Sequence, residues 1–169
     1  MGKAVSCEVV GLDEMIKRLD EMGAKTDELL SKALYAGAKV MADGLKSAIQ
    51  SLPQESGFKR FDEKHNDSPR NVVGGHDKED LISHMGISRF QTKTGSVYAR
   101  IGFDGYGQIK TKKYPNGRPV VLIARSINSG SSARMKHPFI KPTIAQYQGE
   151  ATRAMQQVIS EELKKMEAK

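Results

Sequence analysis

A chain of 169 residues with 38% hydrophobic content, no tryptophan and a single cysteine has the length of one compact domain and excludes an internal disulfide. No run approaches the ~20 apolar residues that a spanning helix requires, so no membrane partner is expected, and Met1-Gly2-Lys3 is expected to open neither a secretory leader nor a myristoylation site. The net charge of +7 comes from one region: between Gly105 and Gly149 there are eight basic residues and no Asp or Glu, while the remainder is close to neutral.

Ala4, Ser6 and Glu8 alternate with Val5, Cys7 and Val9, which predicts a half-buried strand ended by Gly11. In that setting Cys7 reads as a small buried apolar side chain, compatible with a reducing cytoplasm. Leu12, Met15, Ile16 and Leu19 then form one face of a short helix that stops near Gly23. A second helix is predicted from Thr26 or Asp27 to about Gln50, with Leu30, Leu34, Gly37, Met41, Leu45 and Ala48 on its apolar face. It is slim, because Ala33, Ala36, Gly37, Ala38, Ala42, Gly44 and Ala48 carry almost no side chain, and it is roughly 36 Å long.

Residues 51–76 are polar and irregular, and a loop of this length is usually functional or disordered. Phe58 and Phe61 lie within it beside Lys59 and Arg60 and are candidate anchors on a neighbouring subunit; the alternative is that they fold back on their own core. Asp77 can cap a short helix running to Met85. Residues 87–91 and 96–103 read as the strands of a β-hairpin, with Lys93-Thr94-Gly95 as the turn. A basic excursion over 105–118 follows, containing Lys110, Lys112, Lys113 and Arg118 and punctuated by Pro115-Asn116-Gly117. Pro119 then starts a helix with Val120, Ile123 and Ile127 inward and Gly130 as terminator.

The last element begins at Lys136-His137-Pro138-Phe139-Ile140-Lys141-Pro142. Two prolines bracket an apolar pair, so the chain is held extended, docks Phe139 and Ile140, and turns into a long helix with Pro142 at its first position. That helix presents Ile144, Tyr147, Ala151, Met155, Val158 and Met166. The fold class expected is α+β: a single domain over 1–169 with a small antiparallel sheet packed against a long helix and a C-terminal helix.

Catalytic chemistry is not indicated. His65, His76, His84 and His137 are scattered, without the i,i+4 spacing of a zinc helix, and no nucleophile has a base near it in sequence. Acidic residues fall on helical faces as partners of Lys and Arg three or four positions away. No cofactor or metal is expected. The basic stretch over 105–141, with Tyr106 and Tyr114 interleaved, is suited to an acidic protein surface or to non-specific phosphate contacts, and its field extends over ~8–10 Å.

Taken in order, several segments resemble the siphophage tail-completion proteins, a family of minor tail components. They are Val9-Val10-Gly11-Leu12-Asp13-Glu14 after the first strand, the small-residue helix with Ala33, Ala36, Gly37 and Ala42, the segment Gly75-His76-Asp77-Lys78-Glu79-Asp80-Leu81-Ile82, and Pro138-Phe139-Ile140-Lys141-Pro142 before the terminal helix. The sequence departs from the family pattern in carrying Asp77-Lys78-Glu79-Asp80 where a Thr-Gly step is common, and in its longer loop after Gln50.

The resemblance implies a virion protein, assembled in the host cytoplasm, that joins a ring, hexameric in expectation, at the head-proximal end of the tail. There it would cap the tube and meet tail-tube and neck proteins, with weak contact with passing DNA. The residues themselves, not the resemblance, make Phe58, Phe61, Lys110, Lys112, Lys113, Arg118, Pro138 and Phe139 the candidates for partner interfaces. The rival expectation is a non-specific nucleic-acid-binding module.

Overall fold

The computed structural model describes residues 26–54, 73–93, 96–132 and 134–167. Helix α1 spans Thr26–Gln50, α2 Gly75–Ser83, α3 Val120–Ser129 and α4 Ile140–Glu167; the short strands are β1 Met85–Ile87, β2 Gln91–Lys93, β3 Ser96–Tyr98 and β4 Ile101–Phe103. The expected strand over 4–10, the helix after Leu12, and Phe58 and Phe61 lie outside the described residues. The architecture is α+β as the periodicities predict, with the long helix packed against the C-terminal one. The chain forms two compact units, each described in turn.

The first unit takes in residues 26–43, the middle of the hairpin, and α4 from Ile144 onward. Its core is a cluster of Leu29, Ala33, Met41, Ala151, Met155 and Ile159, against which Ile101, Ile144, Tyr147 and Val158 pack. Both helices meet along rows of residues four apart, the ridge spacing that lets helix surfaces interlock. Gly37 sits in the α1 row where Met155 crosses it: a Cβ there would come within 2.1 Å of the Met155 Cε. The slimness of α1 thus serves a close helix–helix approach.

The buried row of α1 differs by one position at its start from the predicted face. Leu29 and Ala33 are buried, whereas Leu30 and Leu34 lie half-buried on its flank. Leu29 and Leu30 are adjacent and equally apolar, so periodicity alone does not choose between them; the approach of α4 over Ala33 and Gly37 does.

The hairpin is interrupted. β2 and β3 pair antiparallel with Gln91 opposite Tyr98 and Lys93 opposite Ser96, and the Tyr98 hydroxyl donates to Gln91 Oε1 at 2.7 Å. β1 pairs with β4. Between the two ladders, Ser88 N–H donates to the Arg100 carbonyl at 2.8 Å, and Arg100 N–H donates back to Ser88 Oγ at 2.8 Å. Arg89 and Phe90 therefore face Ala99 alone, a β-bulge that re-aims the strand. The bulge places Phe90 edge-on to Tyr35, ring centroids 6.4 Å apart.

The second unit holds the end of α1, α2, α3 and the chain between them. Leu45, Ile49, Val73, Leu81, Val120, Ile123, Ala124, Ile127 and Phe139 are buried apolar residues of this unit, and Phe103 meets Phe139 edge-to-face at 6.4 Å. α3 follows its sequence signals: Pro119 stands at the N-cap, and Gly130 ends the helix with φ +79°, a conformation L side chains avoid.

Entry into α4 uses a borrowed cap. The side-chain Oδ1 of Asn128, near the end of α3, accepts the N–H groups of both Phe139 and Ile140 at 3.1 Å. These donors have no carbonyl partner within α4, so Asn128 supplies what a local cap would. The helix starts at Ile140, which puts Pro142 third rather than first. Its missing N–H still falls in the first turn, where it costs nothing. Gln54 and Val73 form a parallel bridge, and Val73 N–H donates to the Pro53 carbonyl at 2.8 Å, which joins the chain after α1 to the chain before α2.

Candidate functional site: a clamped basic loop

The basic excursion is a closed loop with a defined tip. Thr111 N–H donates to the Tyr114 carbonyl and Tyr114 N–H to the Thr111 carbonyl, both at 3.0 Å, which leaves Lys112 and Lys113 as a two-residue turn. Pro115 and Asn116 form the next turn, closed by Gly117 N–H on the Tyr114 carbonyl at 3.1 Å. At the neck, Gly107 N–H reaches the Arg118 carbonyl at 2.8 Å, Val120 N–H reaches the Gly105 carbonyl at 3.1 Å, and Tyr106 bridges Pro119.

Glycine is required at the crossing. Gly117 has φ +97°, and a Cβ there would fall 2.0 Å from the Gly107 carbonyl oxygen. Below the neck lies Asp80, only 1% exposed, whose two carboxylate oxygens are both 3.2 Å from the N–H of Gln108. A Cβ on Gly107 would come 2.3 Å from Asp80 Oδ2, so the backbone approaches the carboxylate as closely as a glycine allows.

The neighbouring residues of α2 act in the same way. Asp77 is expected from the sequence to cap the helix, but Gly74 holds the N-cap position without a side-chain cap bond. Asp77 instead pairs with Arg134 Nη2, and Arg134 Nη1 donates to Ser126 Oγ at 3.3 Å. Lys78, 8% exposed, extends its Nζ to the Gln50 carbonyl at 2.9 Å, placing a cation on the orphan carbonyls at the end of α1. Asp77-Lys78-Glu79-Asp80 thus ties α1, the basic loop and the chain after α3 to one short helix. Glu79 alone points outward, to His76 Nδ1 at 3.6 Å.

Of the eight basic residues between 105 and 149, Arg134 is the one that pairs with a carboxylate among the described residues. Lys110, Lys112 and Lys113 are exposed, and Arg118 is half-buried at the neck. Lys113 Nζ stands 5.6 Å from the centre of the Tyr114 ring, a cation–π contact at the tip. The structure therefore gathers four of the predicted interface residues on one loop. Pro138 is exposed nearby in sequence, but Phe139 is 3% exposed and belongs to the core, so it is not available to a partner.

The sequence analysis does not single out Val121 and Leu122, which are 49% and 39% exposed on the outward side of α3; Tyr106, bridged to Pro119 before them, is 58% exposed. The signal was the unbroken run Val120-Val121-Leu122-Ile123: four apolar residues in a row exceed what one buried helix face can take. Among the described residues no group of three or more His, Cys, Asp or Glu is placed to hold a metal, and no helix is long and apolar enough to cross a membrane. Comparison with protein-family models, with curated proteins and with solved structures finds no match to the chain.

Proposed function

We propose that the protein is a structural virion component of a tailed phage, a ring-forming adaptor that caps the head-proximal end of the tail and joins it to the neck. The observation that carries this reading is the basic loop: a two-lysine tip, fixed at its neck by Gly117 and Asp80, whose lysines form no ion pair with a carboxylate among the described residues. A hydrogen-bonded loop with exposed lysines is suited to engaging a preformed acidic surface, because little ordering cost is left for the moment of binding. The ordered resemblance to tail-completion proteins supplies the setting, and the activity involves no catalytic step.

Two measurements test the proposal. Purified particles should contain the protein, and native mass spectrometry should show it as a ring. Titration with a random DNA duplex gives the opposing outcome: tight binding that collapses steeply with salt, in a protein that stays monomeric and absent from particles, would favour non-specific nucleic-acid binding.

A further inference from the structure

The loop's partner can be narrowed by what surrounds it. Tyr106, in the neck, is bridged to Pro119, and Val121 and Leu122 follow Pro119 on the first turn of α3. All three are large, apolar and exposed. Arg118 precedes them and Arg125, also exposed, lies on the next turn. One carboxylate, the exposed Asp104, lies two residues before Tyr106 and accepts the N–H of Gly105 at 2.7 Å, and the two arginines outnumber it. The first turns of α3 and the bridged neck thus combine exposed apolar side chains with flanking arginines, a composition closer to a protein interface than to a phosphate-binding surface.

We propose that this face of α3, together with the basic loop, docks an acidic protein segment that presents apolar side chains ringed by carboxylates. A nucleic-acid backbone matches the lysines and arginines but leaves Val121 and Leu122 against water or charge. A second copy of this chain would have to bring an acidic apolar surface of its own to match the flanking arginines. The proposal rests on reading the basic loop as a partner-binding element and adds the class of partner.

The test uses the full chain and three probes of equal negative charge: a helical peptide with a leucine face and glutamates elsewhere, polyglutamate, and a DNA duplex. The leucine-faced peptide should bind about ten-fold or more tightly than polyglutamate. Val121→Ser with Leu122→Ser should erase that preference, whereas Lys112→Glu with Lys113→Glu should weaken both peptides. Because these side chains are exposed, the variants should keep the wild-type circular dichroism and melting temperature, and Tyr106→Ser serves as an independent variant.

Equal binding of both peptides, preference for the duplex, or indifference to the serine variants would overturn the proposal. So would a self-associated protein that dissociates when Val121 and Leu122 are replaced. A clear preference for the leucine-faced peptide, in a protein absent from particles, would defeat the tail reading and still support this surface.

Discussion

Asp80 holds the backbone N–H of Gln108 with both carboxylate oxygens at 3.2 Å, which fixes a cationic loop by means of a buried anion. Electrostatics and positioning predict opposite results when that anion is neutralised. If Asp80 acted only as a negative charge, Asp80→Asn would strengthen binding of an acidic probe. We expect weaker binding, faster hydrogen exchange at Gln108 and a stability loss of ~1.5–3 kcal/mol, the usual worth of a hydrogen bond to a charged group. Tighter binding by the variant would refute the positioning role.

Gly117 and Gly149 form a contrasting pair. Gly117→Ala must accommodate φ +97° and a Cβ against the Gly107 carbonyl, so it should cost ~1–3 kcal/mol and displace the loop. Gly149 lies within α4 with nothing within 4 Å of an added Cβ. Gly149→Ala should stabilise by ~0.5–1 kcal/mol. Thermal denaturation of both variants measures the difference in sign.

The Asp77–Arg134 pair is largely buried, with side chains 9% and 15% exposed. Asp77→Asn leaves a shielded guanidinium short of its partner and should cost ~3–5 kcal/mol; replacing both residues by Leu and Met should recover most of that. The Glu162–Lys165 bridge on α4 is 2.8 Å long, but its Lys165 side chain is 67% exposed and Glu162 only half-buried. Its hydrogen bond holds the Glu162 carboxyl below the ordinary glutamate range, yet Glu162→Gln should leave the melting temperature unchanged, since exposed pairs contribute little. Equal losses for the two pairs in urea titration would contradict this ranking.

Asn128→Ala should cost ~0.5–2 kcal/mol by uncapping α4, with accelerated amide exchange confined to Phe139 and Ile140 at its start. Uniform acceleration along the helix would mean that Asn128 supports more than the cap.

Much of this arrangement is legible in the sequence because local signals and packing agree. Pro119 and Gly130 bound α3, the Pro115-Asn116-Gly117 turn closes the loop, and Phe139 docks in the core just ahead of the terminal helix. What stayed hidden depends on residues distant in sequence. Asp77 reads as a cap until Arg134, 57 positions away, competes for it. Asp80 looks like one more surface carboxylate of a charged helix until the loop neck closes over it. Lys78 seems solvated until the end of α1 offers a carbonyl. At the first turns of α1 the adjacent Leu29 and Leu30 fit the periodic pattern equally well, and the approach of α4 selects Leu29. The exposure of Val121 and Leu122 was implicit in an apolar run too wide for one face, a signal that periodicity tends to absorb into the core.

The central claim is that the lysines on the clamped loop join this protein to an acidic surface of the phage particle. It is tested most directly by complementing an infection with the variant Lys110→Glu, Lys112→Glu, Lys113→Glu and counting joined heads and tails by electron microscopy. The account predicts separate heads and tails, with a variant that folds and melts as the wild type does. Joined particles at wild-type yield would contradict it.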